Sequence, residues 1–310
     1  MWRALRDVFL FWIAHGVTIF RVDNPHTKSF RFWEWLIREV QRAHPEIVFL
    51  AEAFTRPKMM RVLAKAGFTQ SYTYFTWRNT AGELREYLTE LTQTEVAEYL
   101  RPNFFANTPD ILHAFLQHGG RAAFEVRFVL AATLGASYGI YSGFELCEHV
   151  AVRPGSEEYL DSEKYQIKPR DWNQPGNLKE LIARVNTIRR EHPALQQNAT
   201  LRFHGSGTEA LLWFSKSSTD LSAVALAEVD SSAVSLAEAD RVFVAANTTP
   251  HDVQHGWVEV PIGELGISPD ASFVVEDLID GATYTWRGAW NYIRLDPAER
   301  MAHIFVIRHP

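Results

Sequence analysis

Apolar and polar positions along this chain recur with two different periods, and the balance between them changes near residue 200. At the N-terminus Leu5, Val8, Phe9, Trp12 and Ile13 fall at the i, i+3, i+4, i+7, i+8 spacing of an amphipathic helix with one packed face. After Gly16 the segment VTIFRVD is apolar and β-branched and stops at Asp23-Asn24-Pro25, which predicts a strand running into a turn. The two patterns then alternate. A helix with Phe32, Trp33, Leu36, Ile37 and Val40 on one face precedes the strand IVFLAE, and PKMMRVLAKAG, with Gly67 just past the helix end, precedes QSYTYF. The helix GELREYLTEL leads to NFFANT, and AAFEVRFVLAATL leads to SYGIYSG.

Strict βα alternation with short turns implies a parallel sheet, and five such strands before residue 145 fit either a doubly wound sheet or part of a (β/α)8 barrel. Periodicity alone does not separate these. A further helix, LKELIARVNTIRREHPAL, closes this part. From Thr200 the character is different: TLRFH, ALLWFS, RVFVAAN, WVEVPI, SFVVEDL, ATYTW and HIFVIR lie between turn residues with no helical stretch among them, as in an antiparallel sandwich. The expected organisation is an α/β domain over 1–197 and an all-β sandwich over 198–310. Within the second, SAVALAEVDS at 222–231 is followed by SAVSLAEADR at 232–241, matching at seven of ten positions. Such a duplication reads as a loop expansion between two strands, since loop closure entropy grows slowly with length.

Composition narrows the function classes. At 310 residues, 46% hydrophobic and 22% charged, the chain is an ordinary globular protein able to bury a large core. Thirty-one Lys and Arg against 37 Asp and Glu, a net charge of −6, with no long basic run, make nucleic acid a poor partner. The single cysteine, Cys147, leaves no disulfide framework, which fits a reducing cytoplasm. Neither the N-terminal apolar run Val8 to Ala14, which follows Asp7, nor Val129 to Tyr141 reaches the roughly 20 apolar residues that a membrane span needs. Of the abundant aromatics, Trp12, Trp33, Trp286 and Trp290 are expected to pack in the core or at a domain interface.

Three carboxylates, Asp23, Glu52 and Asp110, stand at or just past strand C-termini, where α/β barrels place catalytic groups. In VTIFRVD, Val17, Ile19, Arg21 and Asp23 share one parity, so a guanidinium adjoins Asp23 and favours its ionised form, which suits a nucleophile. Glu52 ends an apolar run, and desolvation there raises its pKa, which suits a general acid. Two carboxyls pushed in opposite directions are what glycosyl transfer requires. Taken singly, each could be a turn or cap residue; three together, with Arg21, favour chemistry. The 12 histidines form no cluster with metal-ligand spacing, so no metal is expected.

At these residues the sequence resembles the α-amylase superfamily of retaining glycosidases and transglycosidases. GVTIFRVDN is similar to the nucleophile strand, FLAEAF to the acid/base strand and FFANTPD to the strand bearing the third carboxylate. The strings VDNPHTK, FWEWLI, FLAEAFTRPKMM and EKYQIKPRDW most resemble the branch of bacterial maltosyltransferases that use maltose 1-phosphate. Two departures from the general pattern agree with that branch: Pro109 replaces the usual histidine before the third aspartate, and Thr27, flanked by His26 and Lys28, replaces the usual basic residue.

The resemblance implies a retaining transferase that moves maltosyl units from α-maltose 1-phosphate to the non-reducing end of α-1,4-glucan through a β-maltosyl-enzyme, with no cofactor and with a homodimer at full length. It further implies that Asn24 reaches a phosphate on the leaving side and that Lys164, with Tyr165, binds the donor. On the same resemblance the nucleophile strand is the fourth of eight, so strands four to eight are expected here and an earlier part of the barrel is expected to be missing. A hydrolase or another transglycosidase of the superfamily, and an inactive glucan-binding fragment, are the competing readings.

Overall fold

The computed structural model describes residues 1–163, 167–218 and 240–308. Contacts divide the chain into two compact units, Met1–Tyr74 with Leu88–Phe104, and Phe75–Tyr87 with Phe105–Pro310. Helices and strands follow the expected alternation: α1 Trp2–Ala14, β1 Ile19–Asp23, α2 Phe30–Ala43, β2 Val48–Glu52, α3 Pro57–Lys65, β3 Gln70–Tyr72, α4 Ala81–Gln93, β4 Pro102–Phe105, α5 Ala114–His118, α6 Gly120–Leu134, β5 Ser137–Gly139 and α7 Lys179–Glu191.

In the first unit β1, β2, β3 and β4 lie side by side in chain order, each pair parallel. That unbroken order is the arrangement of consecutive barrel strands and lacks the reversal of a doubly wound sheet. Phe20 and Val22 of β1 turn toward the helices, where they join Phe49, Ala51 and the buried stripe Phe32, Trp33, Leu36, Ile37 and Val40 of α2. All five residues expected on the packed face of α2 are thus buried. Gly67, at φ +113°, ends α3 in a conformation that a side chain rarely adopts, with Ile37 packed where a Cβ would be.

Helix α1 forms as expected but buries no residue. Its inner face is Trp2, Phe9 and Ile13: Trp2 packs edge-on against Phe32, and Phe9 lies 5.0 Å from Phe20 and 5.7 Å from Phe49, centroid to centroid. Leu5, Val8 and Trp12 fall on the flank and stay 44%, 53% and 50% exposed. The apolar arc of this helix is wider than one packed face, so of the five residues that the spacing singles out Phe9 and Ile13 pack and Leu5, Val8 and Trp12 do not.

The second unit carries α6, α7 and the β-rich part. Strands β6 Arg202–Phe203, β7 Leu211–Ser217, β8 Arg241–Asn247, β10 Ser272–Asp277, β11 Thr283–Arg287 and β13 Ala302–Arg308 form a six-stranded sheet in the order β11-β10-β13-β8-β7-β6, while β9 Gln254–Glu259 pairs with β12 Trp290–Leu295. All pairings are antiparallel. Trp213, Phe243, Val275 and Phe305 from one sheet meet Val258, Ile293 and Leu295 from the other in a single apolar cluster, which is the core of a sandwich. The expected duplication at 222–241 lies almost entirely outside the described residues.

Two cations lie behind this sheet, Lys216 buried and Arg189 half-buried. Lys216 of β7, 1% exposed, directs Nζ at the main-chain carbonyls of Leu134 and Leu195, each at 3.4 Å. Arg189 of α7 donates to the carbonyls of Ala132, Gly135 (3.0 Å) and Ala136 (2.9 Å). Both therefore cap the otherwise unpaired C-terminal carbonyls of α6, where the helix dipole favours positive charge. Arg127, also buried, donates 2.6 Å bonds to the carbonyls of Phe75 and Arg78 and lies over the Phe75 ring, tying α6 to the segment before α4. Among the described residues no helix is long and apolar enough to cross a membrane.

Candidate active site

The first unit brings together four of the residues singled out from the sequence: Arg21, Asp23, Asn24 and Glu52. Parallel pairing sets Asp23 directly beside Glu52 at the C-terminal ends of β1 and β2. As the parity argument requires, Ile19, Arg21 and Asp23 share the exposed face of β1 while Phe20 and Val22 occupy the packed one. Arg21 lies between the two carboxylates, with Nη1 3.8 Å from Asp23 Oδ2 and Nη2 3.5 Å from Glu52 Oε1.

The two acids differ in environment. The Glu52 side chain is 11% exposed and the Asp23 side chain 69%. Burial pushes the Glu52 carboxyl above its ordinary range; Arg21 and the Asn24 backbone oppose this, and the neighbouring Asp23 carboxylate adds to it.

The turn after β1 fixes this pair. Asn24 takes a left-handed conformation (φ 45°), its backbone N–H donates to the Glu52 carbonyl at 3.0 Å, and its side-chain amide donates to Asp23 Oδ1 at 2.7 Å. Asparagine tolerates this conformation better than most residues with a Cβ. The indole N–H of Trp33 anchors the next turn by donating to the Pro25 carbonyl at 2.9 Å. Tyr72, at the C-terminal end of β3, joins the cluster: burial raises its phenol pKa, and a hydrogen bond with Arg21 acts against that rise. Tyr72 stands at a strand end as Asp23 and Glu52 do, but it is not a carboxylate, and nothing else in the sequence marks it.

Asp110 belongs to the second unit. It is exposed, in a tight turn where its N–H donates to Thr108 Oγ1 at 3.2 Å. Just before it Asn107 is fully buried, donating to Tyr159 Oη at 2.6 Å and accepting from the Tyr141 N–H at 2.8 Å. Glu148 then joins two parts of this region, accepting from Lys168 Nζ and Arg170 Nε, both at 2.9 Å, while Arg170 also pairs with Glu163 at 3.0 Å. Burial acts to raise the Glu148 pKa, but the bonds from Lys168 and Arg170 prevail and hold it below the ordinary carboxylate range. The Glu148 carboxylate lies against Gly143 (φ +96°), where a Cβ would stand 2.4 Å from Oε2. Nothing in the local periodicity marks Asn107, Glu148 or Gly143; their roles come from contacts distant in sequence. Lys164 and Tyr165 lie outside the described residues. Among the described residues no group of three or more His, Cys, Asp or Glu is arranged to hold a metal ion.

Residues 203–307 match the family described as GLGE, C-terminal. Over its whole length the chain is 53% identical to the α-1,4-glucan:maltose-1-phosphate maltosyltransferase of Chlorobaculum tepidum, of which it covers 45%. Maltosyltransferase 2 of Streptomyces coelicolor is 53% identical over 96% of this chain and 42% of its own length, and the Pseudomonas aeruginosa maltosyltransferase is 50% identical over the same shares. The chain thus spans less than half the length of the curated relatives it matches. Among solved structures, an α-amylase from Geobacillus thermoleovorans superposes with a TM-score of 0.70 at 13% identity, covering 99% of this chain and 64% of that one. A γ-CGTase from alkalophilic Bacillus clarkii gives 0.66 at 14% identity, covering 97% of this chain and 42% of that one. These structures establish an α-amylase type of fold. By sequence the chain is a relative, along its full extent, of the C-terminal part of the α-1,4-glucan:maltose-1-phosphate maltosyltransferases.

Proposed function

We propose that this chain carries the nucleophile and the acid/base of a retaining maltosyltransferase that uses α-maltose 1-phosphate as donor and the non-reducing end of an α-1,4-glucan as acceptor. One observation carries the reading: two carboxyls of unequal burial, Asp23 and Glu52, side by side on adjacent parallel strands and bridged by one guanidinium. Strands about 4.8 Å apart put such groups near the roughly 5 Å separation of retaining enzymes, too close for a water to stand between them as inversion requires.

In the first half-reaction the Asp23 carboxylate attacks the anomeric carbon while Glu52, protonated through its raised pKa, donates to the departing phosphate oxygen. In the second, Glu52 as a carboxylate takes the proton of the acceptor hydroxyl, which displaces Asp23 and restores the α-configuration. Arg21, between the two acids, holds Asp23 and Glu52 in position. Asn24 holds Asp23 Oδ1 in place and, as a neutral donor, reaches the leaving phosphate. Asp110 binds sugar hydroxyls and helps distort the ring, and Lys164 and Tyr165 bind the donor disaccharide. No metal or organic cofactor enters the scheme. The barrel part over 1–197 carries this chemistry, the sandwich over 198–310 supports it, and the setting is a reducing cytoplasm with a homodimer as the working form. Trapping with a fluorinated maltosyl fluoride and peptide mass spectrometry tests the reading. An ester on Asp23 supports it; an ester on another residue, or product of inverted anomeric configuration, overturns it.

A further inference from the structure

The outer face of the β9–β12 ribbon departs from the expectation that Trp290 packs in the core or at a domain interface. Along β12 the side chains alternate, with Asn291, Ile293 and Leu295 buried and Trp290, Tyr292 and Arg294 turned outward. Antiparallel pairing sets Trp290 beside Glu259, Tyr292 beside Trp257 and Arg294 beside His255, so aromatic and polar groups share one face in three successive rows. Trp257, Trp290 and Tyr292 are 55%, 49% and 51% exposed, and the Trp257 and Tyr292 rings meet edge to face at 5.8 Å.

Beside this platform lies a depression of about 290 Å³ into which Tyr292, Tyr284, Arg294, Arg300 and His303 all open. Its polar groups are held rigidly. Fully buried Asp277 accepts from Arg300 Nη1 at 2.9 Å and bonds to His303 Nδ1 at 2.7 Å, which fixes both side chains at the edge of the depression. Arg300 is paired again with Asp280, and Arg294 with Asp296 and Glu299. Each guanidinium that opens into the depression is therefore paired with two carboxylates, so no positive charge is left unneutralised on a surface rich in hydrogen-bonding groups.

We propose that this face is a non-catalytic binding site for an α-glucan chain, in which Trp257, Trp290 and Tyr292 stack on sugar rings while Arg300 and His303 bond to hydroxyls. A sugar presents an apolar C–H face and a polar edge, which is the combination displayed here. Nucleic acid requires unneutralised positive charge, and the cores of protein interfaces are depleted of charged residues. The choice of an α-glucan among glycans rests on the proposed activity: an enzyme extending the end of a polymer gains from tethering that polymer, through the effective concentration of its ends.

Affinity electrophoresis of the 310-residue chain through gels containing glycogen tests the proposal. The chain is expected to be retarded, D23N with E52Q equally so, and W257A with Y292A to raise the apparent Kd at least tenfold. W257F with Y292F retains most of the retardation. Quenching of tryptophan fluorescence by maltoheptaose, and not by cellohexaose, provides the same reading without any substitution. Absence of retardation, or equal retardation of W257A with Y292A, overturns it. So does self-association in the absence of glucan that this pair of substitutions abolishes, which would mark a protein interface. Retention together with an ester trapped on a residue other than Asp23 would leave this site standing and remove the catalytic reading; an ester on Asp23 without retention would do the reverse.

Discussion

Replacing Lys216 with methionine is expected to stabilise the second unit at neutral pH, and the size of the effect follows from where the amine sits. Burial, assisted by the nearby Arg189 charge, pulls the Lys216 pKa from 10.5 down to about 7. A depression of that extent corresponds to ~5 kcal/mol at about 1.4 kcal/mol per pH unit, an upper figure because buried charges relax their surroundings. Against it stand two long hydrogen bonds, to the Leu134 and Leu195 carbonyls, worth ~1 kcal/mol each. The net expectation for K216M is a gain of ~1–3 kcal/mol at pH 7, methionine keeping much of the buried volume.

The pH dependence distinguishes this account from simple repacking. Between about pH 7 and 10.5 the folded amine is neutral while the unfolded one still holds its proton, so the unfolded state binds more protons and stability rises with pH. The advantage of methionine must therefore shrink as pH rises from 7 to 9. Urea unfolding at pH 6, 7, 8 and 9, followed through buried Trp213, measures both quantities. A K216M protein less stable than the parent at pH 7, by an amount that does not change at pH 9, would refute the reasoning and identify Lys216 as a charged anchor of the α6 carbonyls.

Two further predictions concern the candidate site. Because the Glu52 carboxyl is raised in the folded state, its contribution to stability is complete below the unfolded value of 4.5 and is lost as pH rises through the folded one; E52Q should abolish that fall above pH 4.5 in parallel denaturation curves, and an unchanged slope would assign it to other groups. Gly143→Ala places a Cβ against the Glu148 carboxylate in a left-handed conformation and should cost ~1–3 kcal/mol in urea unfolding; a loss under ~0.5 kcal/mol would show that Glu148 can move aside and is no fixed post for Lys168 and Arg170.

Legibility in the sequence followed the strength of the local pattern. Helix α2 could be read residue by residue because its polar positions leave only one stripe to bury, and β1 could be read because its parity separates Phe20 and Val22 from Arg21 and Asp23. Strand β12 was not picked out, since two of its three outward residues are aromatic and mask the apolar/polar alternation. Buried Arg127 and Lys216 were invisible for a related reason: each is satisfied by main-chain carbonyls, and carbonyls carry no sequence signature. At the site, strand ends revealed the acids that face each other. The Glu148 clasp joins residues some twenty positions apart through irregular chain, which no periodicity reports.

The pairing of Asp23 with Glu52 has a consequence for how errors in folding are expressed. A slip of one residue between β1 and its neighbours would exchange the two faces of the strand, bringing Arg21 and Asp23 into the aromatic cluster around Phe49 and turning Phe20 and Val22 out. The same slip would part the two acids. Misregistered molecules therefore cannot accumulate as well-packed but inactive protein: the alternation that aligns the reacting groups also sets the core, and a chain that loses one loses the other.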